Sequence, residues 1–315
     1  MAFFSGAATD LAGLLSALAG ALLSGGWAQS GSIFSRNGCH VEISVVNVGV
    51  GSSTQVVLRC VAGNGESAGA LTGRATVGHA IGNTVANTAH GITWPASYSI
   101  HVLSDPDEVY MFVNYGVDYW QWLAFGQSGI DGLPGTGNWA GGTFGVPSEG
   151  RYQFGHERWP FVVITATTGG GGNQDGPSTA LFWNTDGTAS AVQPKCATSS
   201  FHHGLNGGTW GVLTPAVVAA IPSISRSPSA WNQEAILIPI QPILAMPESK
   251  TALIGELGHS RYIRIDNYDP GEVFSLGEDQ WRVYPWYRKN SAERSGGNGI
   301  DHSGTFGLAI RYDGG

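Results

Sequence analysis

Glycine fills 48 of the 315 positions, about twice its usual share. A chain this rich in glycine is not built from long helices, because glycine in a helix interior costs about 1 kcal/mol relative to alanine. Glycine is at no disadvantage in tight turns, so the count points to many short strands joined by turns. Only 12% of residues are charged, while 42% are hydrophobic. That is enough for a packed core and too much for a disordered chain. Trp (11) and Tyr (10) are abundant, whereas Lys195, Lys250 and Lys289 are the only lysines. Many aromatics with few lysines is the composition of surfaces that become buried against neighbours. The net charge of −8 argues against a general nucleic-acid binder, which would be basic.

One segment carries a helical period. Leu11, Leu14, Leu15, Leu18 and Leu22 fall on a single stripe. Thr9 or Ser5 is positioned to cap this helix, Asp10 suits its positive end, and Gly25-Gly26 ends it. The segment looks like a secretory signal but lacks the basic lead-in, and it is too short to span a bilayer. The opposite face (Ala12, Ser16, Ala19, Gly20) carries no charge, so both faces are expected to be covered, either by the chain's own domain or by a neighbouring subunit.

Strands are expected at 32–35, 40–46 and 54–61, with a turn near 49–53, and at 98–103 and 108–115 around the Ser104–Asp107 turn. The stretch 118–126 (DYWQWLAFG) is apolar on both faces and should be covered on both. Residues 63–96 and 127–159 read as long Gly-rich loops, the second of a length that usually serves function or contact. Further strands are expected at 161–167 and 179–183, a short helix at 214–221, and an edge or extended segment at 235–246 broken by Pro239 and Pro242. A terminal series follows at 262–265, 273–276, 280–286 and 305–312. The fold class is therefore a β-rich α+β protein. An N-terminal helix packs on a small antiparallel sheet in residues 1–63, and a larger, mainly antiparallel body with long Gly-rich loops occupies 64–315.

Catalytic patterns are weak. The run 167–176 (TTGGGGNQDG) lacks the Lys-Ser/Thr of a phosphate loop. No HExxH occurs, and His202-His203 would point to opposite faces of a strand. Cys196 near His202 and His203 is no evidence of a nucleophile, because such pairs are spatial. Cys39, Cys60 and Cys196 make a poor disulfide framework and read as buried thiols. Acid–aromatic neighbours at Asp118–Trp120, Glu157–Trp159 and Asp279–Trp281 leave a sugar-binding or sugar-cleaving module as the rival reading, which needs two carboxylates and exposed Trp in one concave site. No metal, cofactor or catalytic residue is expected. Candidate interface residues are Leu11, Leu14 and Leu18 on the helix, Trp139 in the 127–159 loop, and Arg282, Tyr284, Trp286 and Arg288 on a terminal strand, where Arg and Trp suit a partner surface.

Several strings together resemble a known group. These are the leucine helix ending in Gly-Trp, IFSRNGCHVEISV at 33–45 and VNYGVDYWQWLAFGQS at 113–128. PGTGNW at 134–139, WRVYPWYRKN at 281–290 and GIDHSGTFGLAIRY at 299–312 complete the set. The chain resembles virion structural proteins of tailed bacteriophages, usually assigned to the tail or baseplate region. The resemblance implies a non-enzymatic subunit that assembles in the host cytoplasm into the tail, baseplate or neck. Its partners would be copies of itself, as a homo-oligomeric ring, and other virion proteins, with no nucleic acid and no membrane. A host-surface glycan is the alternative partner.

Overall fold

A computed structural model describes residues 1–50, 53–74, 77–82, 92–129, 137–142, 144–147, 163–165, 180–183, 191–192, 195–197, 237–240, 243–246, 250–253, 256–265, 267–285, 289 and 306–314. The chain begins with β1 (Ala2–Ala8), α1 (Leu11–Ser24), β2 (Ala28–Ser30), β3 (Ile33–Arg36), β4 (Cys39–Val50) and β5 (Ser53–Gly63). Short strands β6 (Gly65–Ser67), β7 (Ala70–Thr72) and β8 (Val77–Gly82) follow. Next come β9 (Ala96–Leu103), β10 (Glu108–Gly116), β11 (Tyr119–Gln127), β12 (Asn138–Gly142) and β13 (Phe144–Pro147). Four brief strands are β14 (Val163–Thr165), β15 (Ala180–Trp183), β16 (Ala191–Val192) and β17 (Lys195–Ala197). The chain ends with β18 (Ile238–Ile240), β19 (Ile243–Met246), β20 (Lys250–Leu253), β21 (Leu257–Arg264), β22 (Val273–Leu276), β23 (Asp279–Pro285) and β24 (Phe306–Arg311). The fold is thus β-rich α+β with an N-terminal helix, and its pairings are antiparallel apart from β14 with β17.

Three sheets form three layers. The central sheet runs β1-β9-β10-β11-β12-β15-β16, the second β13-β8-β5-β4-β3-β2, and the third β18-β21-β24-β23-β22. Strand alternation explains why the central sheet is covered on both faces. On β10, Val109, Met111, Val113 and Tyr115 join the main core with Leu14 and Leu18 of α1 and Val41, Ile43 and Leu58 of the second sheet. Glu108, Tyr110 and Phe112 point the other way, where Phe112 stacks on Tyr284 of the third sheet at 3.9 Å between ring centres. The two-faced burial expected of 118–126 is present from Gln121 onward: Gln121, Leu123 and Phe125 are buried on one side, Trp122 and Ala124 on the other, while Asp118, Tyr119 and Trp120 are half-buried.

Three sequence expectations need correction. Asp10, rather than Thr9 or Ser5, caps α1, accepting a 2.7 Å hydrogen bond from the Gly13 N–H. The 63–96 stretch contains β6, β7 and β8, and the 127–159 stretch contains β12 and β13. Hydrogen bonding does not divide at residue 63, because β1 pairs with β9 and β5 pairs with β8. The expected helix at 214–221 lies outside the described residues.

Candidate functional site

Polar chemistry is concentrated where the layers meet. The β9–β10 turn places Asp107 and Glu108 side by side, and alternation sends them to opposite neighbours. Asp107 faces the second sheet, pairing with Arg36 at 3.1 Å and accepting from the Asn37 side chain at 2.7 Å. Glu108 faces the third sheet and is fully buried. Its carboxylate accepts from the Gly258 N–H at 2.6 Å, the His259 N–H at 3.0 Å and the Tyr110 hydroxyl at 2.7 Å. Burial dominates over these donors and over nearby Arg261, and pushes the Glu108 carboxyl up to about 7. Burial and the facing Glu108 also hold the Tyr110 hydroxyl above its usual range.

A second buried contact joins the same two sheets. His101 of β9 meets the Tyr284 hydroxyl at 2.8 Å. Burial, helped by the charge of Arg282, lowers the imidazole to about 3, so it stays neutral. Arg282 lies 4.4 Å over the Phe3 ring and 5.4 Å over Tyr312, a cation–π arrangement that buries its stem at the sheet edge.

Neutral amides tie the central sheet to the second one. Gln121 donates to the Gly82 carbonyl and accepts from the Gly82 N–H, both at 2.8 Å. Asn138 donates to the carbonyls of Gly38 and Gly63. In a chain with so few charges, these groups satisfy backbone at the layer junctions that would otherwise be buried unpaired.

The candidate interface residues separate into three sets. Leu14, Leu18, Trp139 and Tyr284 have no exposed surface in the single chain. They are spent on its own interior: the leucines in the main core, Trp139 beside the Tyr110 ring, and Tyr284 between His101 and Phe112. Leu11 and Arg282 are half-buried. Trp286 and Arg288 lie outside the described residues. Leu11 lines an open apolar groove of about 410 Å³ with Val45, Val56, Ile92 and Trp94, and Asp10 stands at its rim.

Of the acid–aromatic neighbours, Asp118 and Trp120 are half-buried, and Glu157 and Trp159 lie outside the described residues. Trp27, Trp122, Trp139 and Trp281 are buried in the chain's own packing. Asp279 is held by Arg311, and Asp107 and Glu108 face opposite layers. Cys39 and Cys60 are buried and unpaired, with burial raising both thiols. The described residues hold no group of three or more His, Cys, Asp or Glu arranged for a metal ion, and no described helix is long and apolar enough to cross a membrane. No family model matches the chain, and no curated protein matches it.

Proposed function

We propose that this chain is a structural subunit of a tailed-phage virion that assembles in the tail, baseplate or neck through contacts with copies of itself and with other virion proteins. The observation that carries the reading is where the chemistry lies. Glu108, Tyr110, His101 and Tyr284 are buried between the central and third sheets, where their hydrogen bonds are made within and across the two layers, while large apolar side chains are among those left on the surface. Leu23, Val56, Val117, Val273 and Leu276 are exposed large apolar side chains, and Val117 is 97% exposed at the β10–β11 hairpin tip. In a chain with 12% charged residues, such surface is suited to burial by neighbours. The sequence strings at 33–45, 113–128 and 281–312 support the phage assignment by resemblance.

The test has two parts. Light scattering over a concentration series is expected to give a mass above that of one chain, rising with concentration. Val56→Asp and Val117→Asp, introduced in the phage genome that encodes the chain, are expected to keep the far-ultraviolet circular dichroism of the purified protein and to lower its recovery in sedimented particles at least tenfold. A chain that stays monomeric and is absent from particles sinks the assignment.

A further inference from the structure

We propose that the outer edge of β22, which has no partner strand among the described residues, is a self-association surface, on which a second copy of the chain adds its own β22 antiparallel, about a two-fold axis through Phe274. The contact rests on the assembly reading above and specifies one surface of it.

The phase of the ladder fixes what this edge offers. β22 ends the third sheet, and its inner side pairs with β23: Val273 opposite Arg282, Phe274 opposite Trp281, Ser275 opposite Gln280, Leu276 opposite Asp279. The Val283 N–H donates to the Glu272 carbonyl at 3.0 Å, and the Tyr312 N–H donates to the Gln280 carbonyl at 2.8 Å. The first bond turns Glu272 inward. The second turns Gln280 toward β24, away from Ser275. Backbone groups alternate along an antiparallel strand, so Phe274 and Leu276 bond to β23, while Val273 and Ser275 aim their N–H and C=O groups outward. The two-residue Gly277-Glu278 turn, with Gly277 at φ +64°, fits the hairpin type that begins with glycine and places Leu276 and Asp279 in a bonded pair.

Two other sheet edges are blunted or polar, whereas β1, Ala-Phe-Phe-Ser-Gly-Ala-Ala at the edge of the central sheet, carries neither proline nor lysine. β2 is Ala-Gln-Ser, and β18 carries Pro239, which has no N–H to offer. β22 has neither proline nor lysine, and Val273 and Leu276 are 38% and 50% exposed.

An identical strand satisfies this edge by symmetry. Run antiparallel about Phe274, it sets Val273 opposite Ser275 of the copy and Ser275 opposite Val273 of the copy. Each outward donor then meets an outward acceptor. Phe274 faces Phe274 of the copy at a non-hydrogen-bonded position, where opposed side chains come closest, with Cα atoms about 4.5 Å apart. Phe274 already packs beside Tyr268 at 5.1 Å and against the apolar face of Trp281, Val283 and Ile263. Pairing therefore continues that face from one copy into the next. Within 272–276 the only charge is Glu272, which comes opposite Leu276 of the copy, so no carboxylate confronts another. The contact is isologous and closes on itself.

Three variants test it, with the wild type oxidised in parallel as the thiol control. Phe274→Cys is expected to form a covalent dimer on mild oxidation. Leu276→Cys is expected not to, because the symmetric register holds that pair about 13 Å apart along the strand. Ser275→Pro removes an outward N–H and no β23 bond, and is expected to weaken association at least tenfold by sedimentation equilibrium. Cross-linking of Phe274→Cys no greater than that of Leu276→Cys, or undiminished association of Ser275→Pro, overturns the contact. If the wild type still oligomerises in that case, assembly uses another surface and the virion reading stands. A wild type that is monomeric throughout overturns the contact, and the virion reading falls with it only if the chain is also absent from particles.

Discussion

Glu108 sits where water does not reach it, and its three donors do not fully offset that loss. A carboxyl whose pKa rises from 4.5 to about 7 on folding binds its proton more tightly in the native state. Its contribution to stability is therefore present below about pH 4.5 and is lost as pH rises through about 7. The shift corresponds to about 3 kcal/mol between those limits. His101 has the opposite sense: its lowered pKa contributes stability above its ordinary value and loses it as pH falls. Glu108→Gln removes the titration, and its one amide oxygen can accept from the His259 N–H and the Tyr110 hydroxyl in place of Oε2, while its amide nitrogen faces the Gly258 N–H that bonded to Oε1, so the change in stability with pH isolates the effect. Urea unfolding is expected to show the wild type losing about 2–3 kcal/mol more stability than the variant between pH 5 and pH 8. An equal change in both proteins between pH 5 and pH 8 would mean that Glu108 keeps an ordinary pKa. None of this was legible in the sequence, where Asp107-Glu108 looks like the end of a polar turn. Which carboxylate faces which layer depends on strands more than a hundred residues downstream.

Glycines of opposite consequence show how local rules and packing divide the work within elements. Gly20 lies on the outer face of α1, where an added Cβ would meet nothing within 4 Å. Gly20→Ala is expected to raise stability by about 0.5–1 kcal/mol. Gly126 in β11 sits opposite Glu108, and a Cβ there would fall 2.4 Å from the Asp107 carbonyl oxygen and 2.8 Å from the Glu108 Cα. Gly126→Ala is expected to cost about 1–3 kcal/mol, because the facing backbone at Asp107 and Glu108 must move. Thermal unfolding of the two variants beside the wild type reads both signs. The helix itself was legible because a leucine stripe of period 3.6 has one explanation. Its end was legible too: Trp27 N–H reaches the Leu22 carbonyl, Gly26 N–H reaches that of Leu23, and Gly26 takes φ +83°, the glycine-dependent stop. Strands β8 (VGHAIG) and β12 (NWAGG) were not legible. Glycine and alanine replace the β-branched signal in them, since close approach leaves room for little else: a Cβ on Gly142 would lie 2.9 Å from that of His79. Trp139 therefore read as a loop anchor although it is a core residue.

At the scale of the molecule, the third sheet docks on the central one through few but dense contacts, and Tyr284 is at their centre. Its ring stacks on Phe112, lies edge-on to His101 and approaches Trp120, while its hydroxyl meets the His101 imidazole. Terminal residues 281–290 were read from sequence as a partner surface because Arg, Tyr and Trp alternate there. In the chain itself the two residues before Pro285 are taken up internally, Tyr284 against the central sheet and Val283 in the outer apolar cluster. Sequence shows that such residues seek a partner, but not whether that partner is another subunit or the same chain. Tyr284→Phe keeps the stack and leaves the His101 ring nitrogen without its hydroxyl, at an expected cost of about 1–2 kcal/mol. Tyr284→Ala removes the stack as well, at about 3–5 kcal/mol. Hydrogen exchange distinguishes loss of docking from general unfolding. In Tyr284→Ala, amides of β21, β23 and β24 are expected to lose protection, while the long β4–β5 hairpin, which packs on the opposite face of the central sheet, keeps its own. Equal loss in both regions would show that the three layers open as one unit, and would remove the basis for treating the third sheet as a separately docked layer.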